Sequence, residues 1–490
     1  MTDRYPRLAS LRDAAGLRAR LAELGLELPC DDEALSGDAS PLAAPLTLAP
    51  DGDAGEGRTI ANRFVIQPME GWDGSRDGRP TDLTVRRWRN FGRSGAAWIW
   101  GGEAVSVLSE GRANPNQLVL IDDTAASIGT LRSELEDAAH AVGANPLVGL
   151  QLTHSGRWAR PDATGRAPRV AFRDPLLDAR SGVENDAAVL TDAEVDGIVR
   201  AFGRAARLAR EEGFEFVDVK HCHGYLLHEF LSARSRPGAW GGETLAARTR
   251  LAREAIAAVR DAAPGLAIGV RLSAFDLVPH RPDSVDAEGR PGRGVPESHE
   301  LPYRCGFGLD PGSPERIDLT EPIAFVRELL SLGVRWLNVT AGSPYTVPHV
   351  QRPATFPPSD GYAPPEDPLA GVVRLLDVAR AMKRAVPEMT VVSSGWTYLQ
   401  DLLPLVAQAC VREGWFDAVG LGRMVLSYPE FPRDVLAGAA LDRRRICRTF
   451  SDCTTAPRAG LVSGCYPLDP FYRARPEREE LERRKRGGSA

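Results

Sequence analysis

The sequence predicts a closed (β/α)8 TIM barrel, and three observations carry that reading. Eight apolar runs of strand length alternate with helix-like stretches, the pattern of a parallel α/β architecture. The long irregular excursions, 153–190, 273–320 and 341–365, all begin where an apolar run ends, whereas the returns from helix to strand are short. A barrel collects such elaboration on one face, the face that carries function. No GxGxxG follows any of the eight runs, which argues against an open dinucleotide-binding sheet.

Residues 1–44 read as an N-terminal extension whose amphipathic stretch, LASLRDAAGLRARLAELGLELP, forms a helical arm on the outside. The barrel is expected over 45–440. Its strands are RFVIQ (63–67), AAWIWG (96–101), LVGLQL (147–152), FEFVDV (214–219), LAIGVRL (266–272), VRWLNV (334–339), TVVSS (390–394) and FDAVGL (416–421). Between them TDLTVRRWRNFGRSG, TDAEVDGIVRAFGRAARLAREEG and LAGVVRLLDVARAMKRAV have helical periodicity, the first two opening on a Thr-Asp pair suited to an N-cap. Residues 441–490 form a cysteine-bearing C-terminal tail, and its end, ELERRKRGGSA, reads as frayed.

Composition narrows the function classes. With 490 residues, 43% hydrophobic and 26% charged, the chain can bury a large core. A net charge of -6 gives no reason to expect nucleic acid or an anionic membrane as partner. No run is long enough to span a bilayer, and the start lacks the apolar core of a signal peptide. Seven cysteines, an odd and sparse set, fit a reducing cytoplasm. The expected partner is a small-molecule substrate, and a homo-oligomer is compatible with the sequence.

Chemistry is sought at the strand ends. Val217 and Val219 alternate with polar neighbours, and directly after them come Lys220, His221, His223 and Tyr225. Lysine occurs only at 220, 383 and 485, so a lysine at a strand end is a candidate for holding an oxyanion or carboxylate. Alternation turns His221 away from Lys220. Gln151 is expected to face inward from the third strand, and an amide there can donate and accept. Arg271 ends the fifth strand as a permanent cation. Gly395 after the seventh strand and Gly422-Arg423 after the eighth suit the approach of backbone N–H groups and a guanidinium to a phosphate; the same glycines would also serve simple tight turns.

Five motifs then carry a resemblance: NRFVIQPM at the first strand, GRANPNQL after the second, QLTHSGR at the third, HGYLLHEFLS followed by Gly-Gly at the fourth, and GLGR at the eighth. From about residue 45 to 470 the chain resembles the old yellow enzyme family of NADH:flavin oxidoreductases and FMN-dependent ene-reductases, as a single-barrel member related to the N-terminal domain of 2,4-dienoyl-CoA reductases. The resemblance implies a TIM barrel with FMN across the strand ends. It implies that Pro68 and Met69 line the flavin, that Gln151 bonds its pyrimidine edge, that Arg271 sits near N1 and O2, and that Gly395, Gly422 and Arg423 hold the phosphate. The family's carbonyl-binding pair falls on Lys220 and His223, and its proton-donating tyrosine on Tyr225. Hydride would pass between flavin N5 and an activated C=C bond, with NAD(P)H reducing the flavin.

Three departures qualify this. Lys220 replaces the family's histidine, and an ammonium favours an anionic or strongly polarised group such as a carboxylate, phenolate or thioester. Glu70 follows Met69 where many relatives carry a small residue; it would act as a base in the oxidative direction, or stand in a surface turn leading into GWDGSRDG. The tail keeps only Cys453 and Cys465 of the spacing that binds a [4Fe–4S] cluster in longer relatives, with Cys447 one residue out of register, so three thiolates do not make the four-ligand site. Two other classes stay open: a non-redox phosphate-binding barrel, a lyase or isomerase using Lys220 covalently, and a non-catalytic flavin-binding barrel. The first predicts a colourless protein, the second a flavin that NAD(P)H does not reduce.

Overall fold

Eight parallel strands close on themselves in the computed structural model of the chain, which describes residues 5–50, 57–286, 291–358 and 361–485. They are β1 (Phe64–Ile66), β2 (Trp98–Ile99), β3 (Leu147–Thr153), β4 (Phe216–Val219), β5 (Ala267–Ser273), β6 (Trp336–Thr340), β7 (Thr390–Ser393) and β8 (Ala418–Leu421). Each falls within or overlaps one of the eight apolar runs. Closure is set by Val65 opposite Trp98, Trp98 opposite Leu147, and Val419 opposite Phe64. Helices α1 (Asp82–Gly92), α2 (Ala125–His140), α3 (Asp192–Glu211), α4 (Arg250–Ala262), α5 (Thr320–Ser331), α6 (Pro368–Ala385), α7 (Leu403–Arg412) and α8 (Phe431–Ala437) follow or connect the strands. The Thr-Asp signal before α3 works as a capping box: Thr191 Oγ1 accepts from Glu194 N at 3.3 Å, and Glu194 Oε2 accepts from Thr191 N at 2.7 Å.

Both faces of every strand are buried, because helices cover the outside and the strands' own side chains fill the inside. Leu150, Leu152, Val217, Val219, Ile268 and Val270 face the helices. Trp98, Trp100, Leu147, Phe216, Ala267 and Trp336 pack inside, near the N-terminal ends of the strands. This reverses the usual meaning of alternation in β4, since polar Asp218 faces the barrel interior and is fully buried. A short hairpin, Leu46–Leu48 with Arg58–Ile60, covers that end, adding Leu46, Leu48 and Ile60 to the inner cluster. Trp336 Nε1 also donates to Ala49 O at 3.1 Å.

The N-terminal arm is a helix, Ala14–Glu23, with Leu17 and Leu21 buried. Its return stretch is pinned where Asp31 accepts from Arg412 and from Gln408 Nε2 at 2.6 Å. The tail departs from the frayed end expected for it. Glu477–Lys485 is helical, with Lys485 Nζ 2.7 Å from Asp452 and Arg484 Nη1 donating to Ala459 O at 2.6 Å. Oppositely charged ends suit a helix, acidic residues opening it and basic residues closing it. The last part of the expected frayed segment, 486–490, lies outside the described residues. Among the described residues no helix is long and apolar enough to cross a membrane.

Candidate active site

A cleft of about 270 Å³ opens at the C-terminal ends of the strands, where barrel sites are built. Pro68, Met69, Gln151, Lys220, His223, Tyr225, Arg271, Gly395, Gly422 and Arg423 all line it. They come from β1, β3, β4, β5, β7 and β8 or the turns just beyond, so one closed sheet brings together groups more than 350 positions apart. Tyr345, Gln351 and Arg352 reach it from the excursion after β6, and Cys453, Thr454, Arg458 and Ser463 from the tail.

Beneath the cleft, Asp218 orders its neighbours. Its Oδ2 accepts from Trp100 Nε1 at 2.8 Å and from Gln151 Nε2 at 2.6 Å, while Oδ1 accepts from Arg271 N at 2.8 Å. Because the carboxylate takes the amide nitrogen, Gln151 is left with its carbonyl oxygen for a ligand. Burial pushes the Asp218 pKa up, and the bonds from Gln151 and Trp100 pull it down. Arg271 is buried, and its Nε makes no hydrogen bond among the described residues. Burial lowers its pKa, against the pull of Cys222 and Asp218.

Across the cleft, Gly395 has φ 98°, a left-handed conformation that glycine adopts freely, and it opens the short helix Trp396–Leu402. Gly420 stands where a Cβ would lie 1.9 Å from Gln67 Nε2. Arg423 donates from Nη2 to Pro353 O at 3.2 Å, and its buried Nη1 has no bond among the described residues. Two arginines with buried donors to spare, one in the same cleft as the Gln151 amide and one beside a glycine turn, match an isoalloxazine edge and a phosphate. The donor set fits FMN.

The third side carries the polar cluster after β4. Lys220 Nζ lies 3.7 Å from the centroid of the Tyr225 ring, a cation–π contact. Burial chiefly pulls its pKa down, with Cys222 and Glu70 acting against that. His223 adopts a left-handed backbone, φ 66°, held by Ser273 Oγ accepting from its N–H at 3.0 Å and by Ser343 Oγ donating to its carbonyl at 2.8 Å. Burial, then Arg271 and Lys220, hold its imidazole well below the usual histidine pKa, so it is neutral at pH 7. His221 points away from the cleft, its Nδ1 2.7 Å from Val219 O and its ring against Phe325.

Glu70 lies in the cleft wall rather than in a surface turn. Its Oε2 accepts from the Tyr225 hydroxyl at 3.1 Å and its Oε1 from Asn114 Nδ2 at 2.7 Å. Tyr225 also meets Tyr345, hydroxyl to hydroxyl, at 3.3 Å, and Tyr345 stacks on Trp158 with centroids 4.4 Å apart. Asn114, Tyr345 and Asp218 escaped the sequence reading. Asp218 was the most accessible of them, two residues before Lys220 and in the same inward phase. Cys447 and Cys465 are buried, Cys453 lines the cleft, and all three are free thiols.

Residues 53–293 match the NADH:flavin oxidoreductase / NADH oxidase family. The chain is similar to a metal reductase of Desulforamulus reducens, 27% identical over 423 residues, covering 85% of this chain and 51% of that one. It is 32% identical over 234 residues to an NADPH dehydrogenase of Geobacillus sp., covering 46% of this chain and 62% of the relative. The fold is similar to that of a 2-naphthoyl-CoA reductase in complex with 2-naphthoyl-CoA, with TM-score 0.63, 17% identity, and 90% and 58% of the two chains covered. The chain spans about half to two thirds of the length of these proteins.

Proposed function

We propose that this chain, whose residues 53–293 match the NADH:flavin oxidoreductase / NADH oxidase family, is an FMN-dependent oxidoreductase, reduced by NAD(P)H, acting on an activated C=C bond of an enone, enoate or thioester-type substrate. The observation that carries this reading is the pairing in one cleft of two cationic sites with unspent donors, Arg271 in the wall that also carries Gln151 and Arg423 among the glycine turns. A flavin bound there supplies the electron pair as hydride. Gln151 would accept from the pyrimidine edge, Arg271 would stabilise negative charge near it, and Gly395, Gly422 and Arg423 would hold the phosphate, with Pro68 and Met69 along the ring.

Lys220 and neutral His223 would donate to the substrate's electron-withdrawing oxygen, where charge grows as the C=C bond is attacked. Lys220 favours an anionic or strongly polarised partner, and Arg352 and Arg458 also line the cleft. Tyr225 would supply the proton to the α-carbon. We place the protein in the cytoplasm, where seven free thiols stay reduced, with a small molecule as its partner.

The test is an anaerobic titration of the FMN-loaded protein with NADH and with NADPH, followed by 2-cyclohexen-1-one. Bleaching of the flavin bands and their return with the enone are expected. A protein that takes up FMN but is not bleached by either nucleotide contradicts the redox reading, and one that stays colourless moves the search to Lys220 as a covalent catalyst.

A further inference from the structure

Glu70 sits against the proton donor, yet nothing in the family resemblance gives it a task. Its carboxyl faces the Tyr225 hydroxyl at 3.1 Å and is fixed from behind by Asn114 Nδ2 at 2.7 Å. Asn114 cannot turn its oxygen to Glu70, because Oδ1 already accepts from Asn116 N at 2.8 Å. The loop bearing it is tied to the barrel in turn, since Gln117 Nε2 donates to Ala104 O at 2.7 Å. Glu70 is therefore aimed at Tyr225 by a rigid support, whereas a surface carboxylate would be free to turn to water.

We infer that Glu70 and Tyr225 form a two-step proton relay, in which Glu70 backs the tyrosine as proton reservoir for reduction and as proton acceptor for the reverse dehydrogenation. This rests on the function proposed above. In reduction the electron pair arrives as hydride from the reduced flavin, which NAD(P)H replenishes. The Tyr225 O–H bond breaks as the substrate's α C–H bond forms. The Glu70 O–H bond breaks as the tyrosine O–H bond is restored, and the carboxylate regains its proton from water. Dehydrogenation runs the same transfers backward, with Glu70 ionised at the start.

The surroundings explain why a lone tyrosine would serve poorly. Burial, and then the neighbouring carboxylate, lift the Tyr225 pKa well above 10, so a tyrosinate left behind would be costly unless a proton follows at once. Burial lifts the Glu70 pKa as well, against the pull of Lys220, Tyr225, Asn114 and Trp72, which is the direction a proton reservoir needs. Among the described residues, the charged and titratable groups around Glu70 include Lys220 and Tyr225 beyond β4, Tyr345 beyond β6, the Arg87–Asp73–Glu103 cluster behind the turn after β1, and Arg86, Cys465 and Tyr472 across a small cavity that Glu70 also lines. Of the cations, Arg87 and Arg86 are already paired with carboxylates, whereas Lys220 faces the Tyr225 ring.

An infrared pH titration of the FMN-loaded protein tests the relay without substrate. The relay predicts a protonated carboxyl C=O band that persists above the ordinary glutamate range and is missing from Glu70→Gln. The band should disappear at higher pH in Tyr225→Phe, since removing the phenol hydrogen bond favours the neutral acid. Glu70 ionised throughout the neutral range, or a titration that Tyr225→Phe leaves unmoved, would overturn the proposal. Burial also holds Glu103 up, to about 8, so the band counts only as the part lost in Glu70→Gln, and Glu70→Asp, which should shift that part rather than abolish it, decides the point should the amide variant fold poorly. In rapid mixing, Glu70→Gln should slow flavin reoxidation by 2-cyclohexen-1-one roughly 100-fold while leaving reduction by NAD(P)H within about threefold. Failure of the wild-type flavin to be reduced would instead sink the parent reading, which keeps the two outcomes apart.

Discussion

The two ends of the barrel are built from the same eight strands and solve opposite problems. At the N-terminal end Trp98, Trp100, Phe216 and Trp336 meet edge to face or tilted, with ring centroids 4.8 to 5.9 Å apart, and a hairpin seals them from water. Close packing there sets the strands' positions: a Cβ on Gly269 of β5 would come within 2.8 Å of the Trp100 ring. At the C-terminal end Lys220, Arg271 and Arg423 stand in one cleft, and Arg271 Nε and Arg423 Nη1 have no hydrogen-bond partner among the described residues. One end gains stability from apolar contact. The other holds cations with buried donors to spare for a ligand, and the rigid end is what keeps those charges apart and aimed.

The largest effect should come from breaking the packed end alone. Trp336→Ala removes a buried aromatic and its bond to Ala49, and should destabilise the fold by about 3–5 kcal/mol in urea unfolding of the FMN-free protein. The affinity for FMN should stay within about threefold. Equal loss of both would mean that the ends are not separable.

His221 sharpens the contrast, since it lies beside the cleft but faces the helices. Burial drives its pKa down to about 4, so the fold keeps it neutral while the unfolded chain takes up a proton near pH 6.5. Stability is therefore intact above about pH 6.5 and is lost as pH falls towards 4, by about 3 kcal/mol. Unfolding free energies of wild type and His221→Asn, measured from pH 7 to pH 4, should converge by about that amount.

Asp218 joins the two ends, with Trp100 on one side and Gln151 and the Arg271 backbone on the other. Asp218→Asn turns one acceptor into a donor facing a donor, and should cost about 2–3 kcal/mol of stability while also weakening FMN binding. The flavin potential should shift as well, because the anion beneath Arg271 is gone. Arg423→Ala, at the open end only, should raise the Kd for FMN roughly ten- to thirtyfold, about 1.5–2 kcal/mol, and leave unfolding of the FMN-free protein unchanged in fluorescence-monitored urea titrations.

The barrel was legible because its strands are continuous apolar runs and its helices carry capping signals, as at Thr191. The cleft's own strand-end residues were legible too, for a barrel directs those positions inward and upward. What escaped reading depends on contacts between distant segments. Val217 and Val219 were the visible apolar phase of β4, yet in a barrel buried on both faces the polar phase, Asp218, held the interior. Glu70 looked equally suited to a turn, and only the loop carrying Asn114 and the excursion carrying Tyr345 set it against Tyr225. The tail's wall of Cys453, Arg458 and Ser463 had no periodicity to announce it, since its position rests on bonds such as Ser463 N to Gly71 O at 3.1 Å.

The central claim is that the open end of this barrel is a flavin site, and an FMN titration of the purified protein followed by absorption and fluorescence tests it most directly. The account predicts stoichiometric uptake, with perturbed flavin bands and quenched emission in wild type and weakened uptake in Arg423→Ala. No uptake by the folded protein, or equal uptake by both, would contradict it.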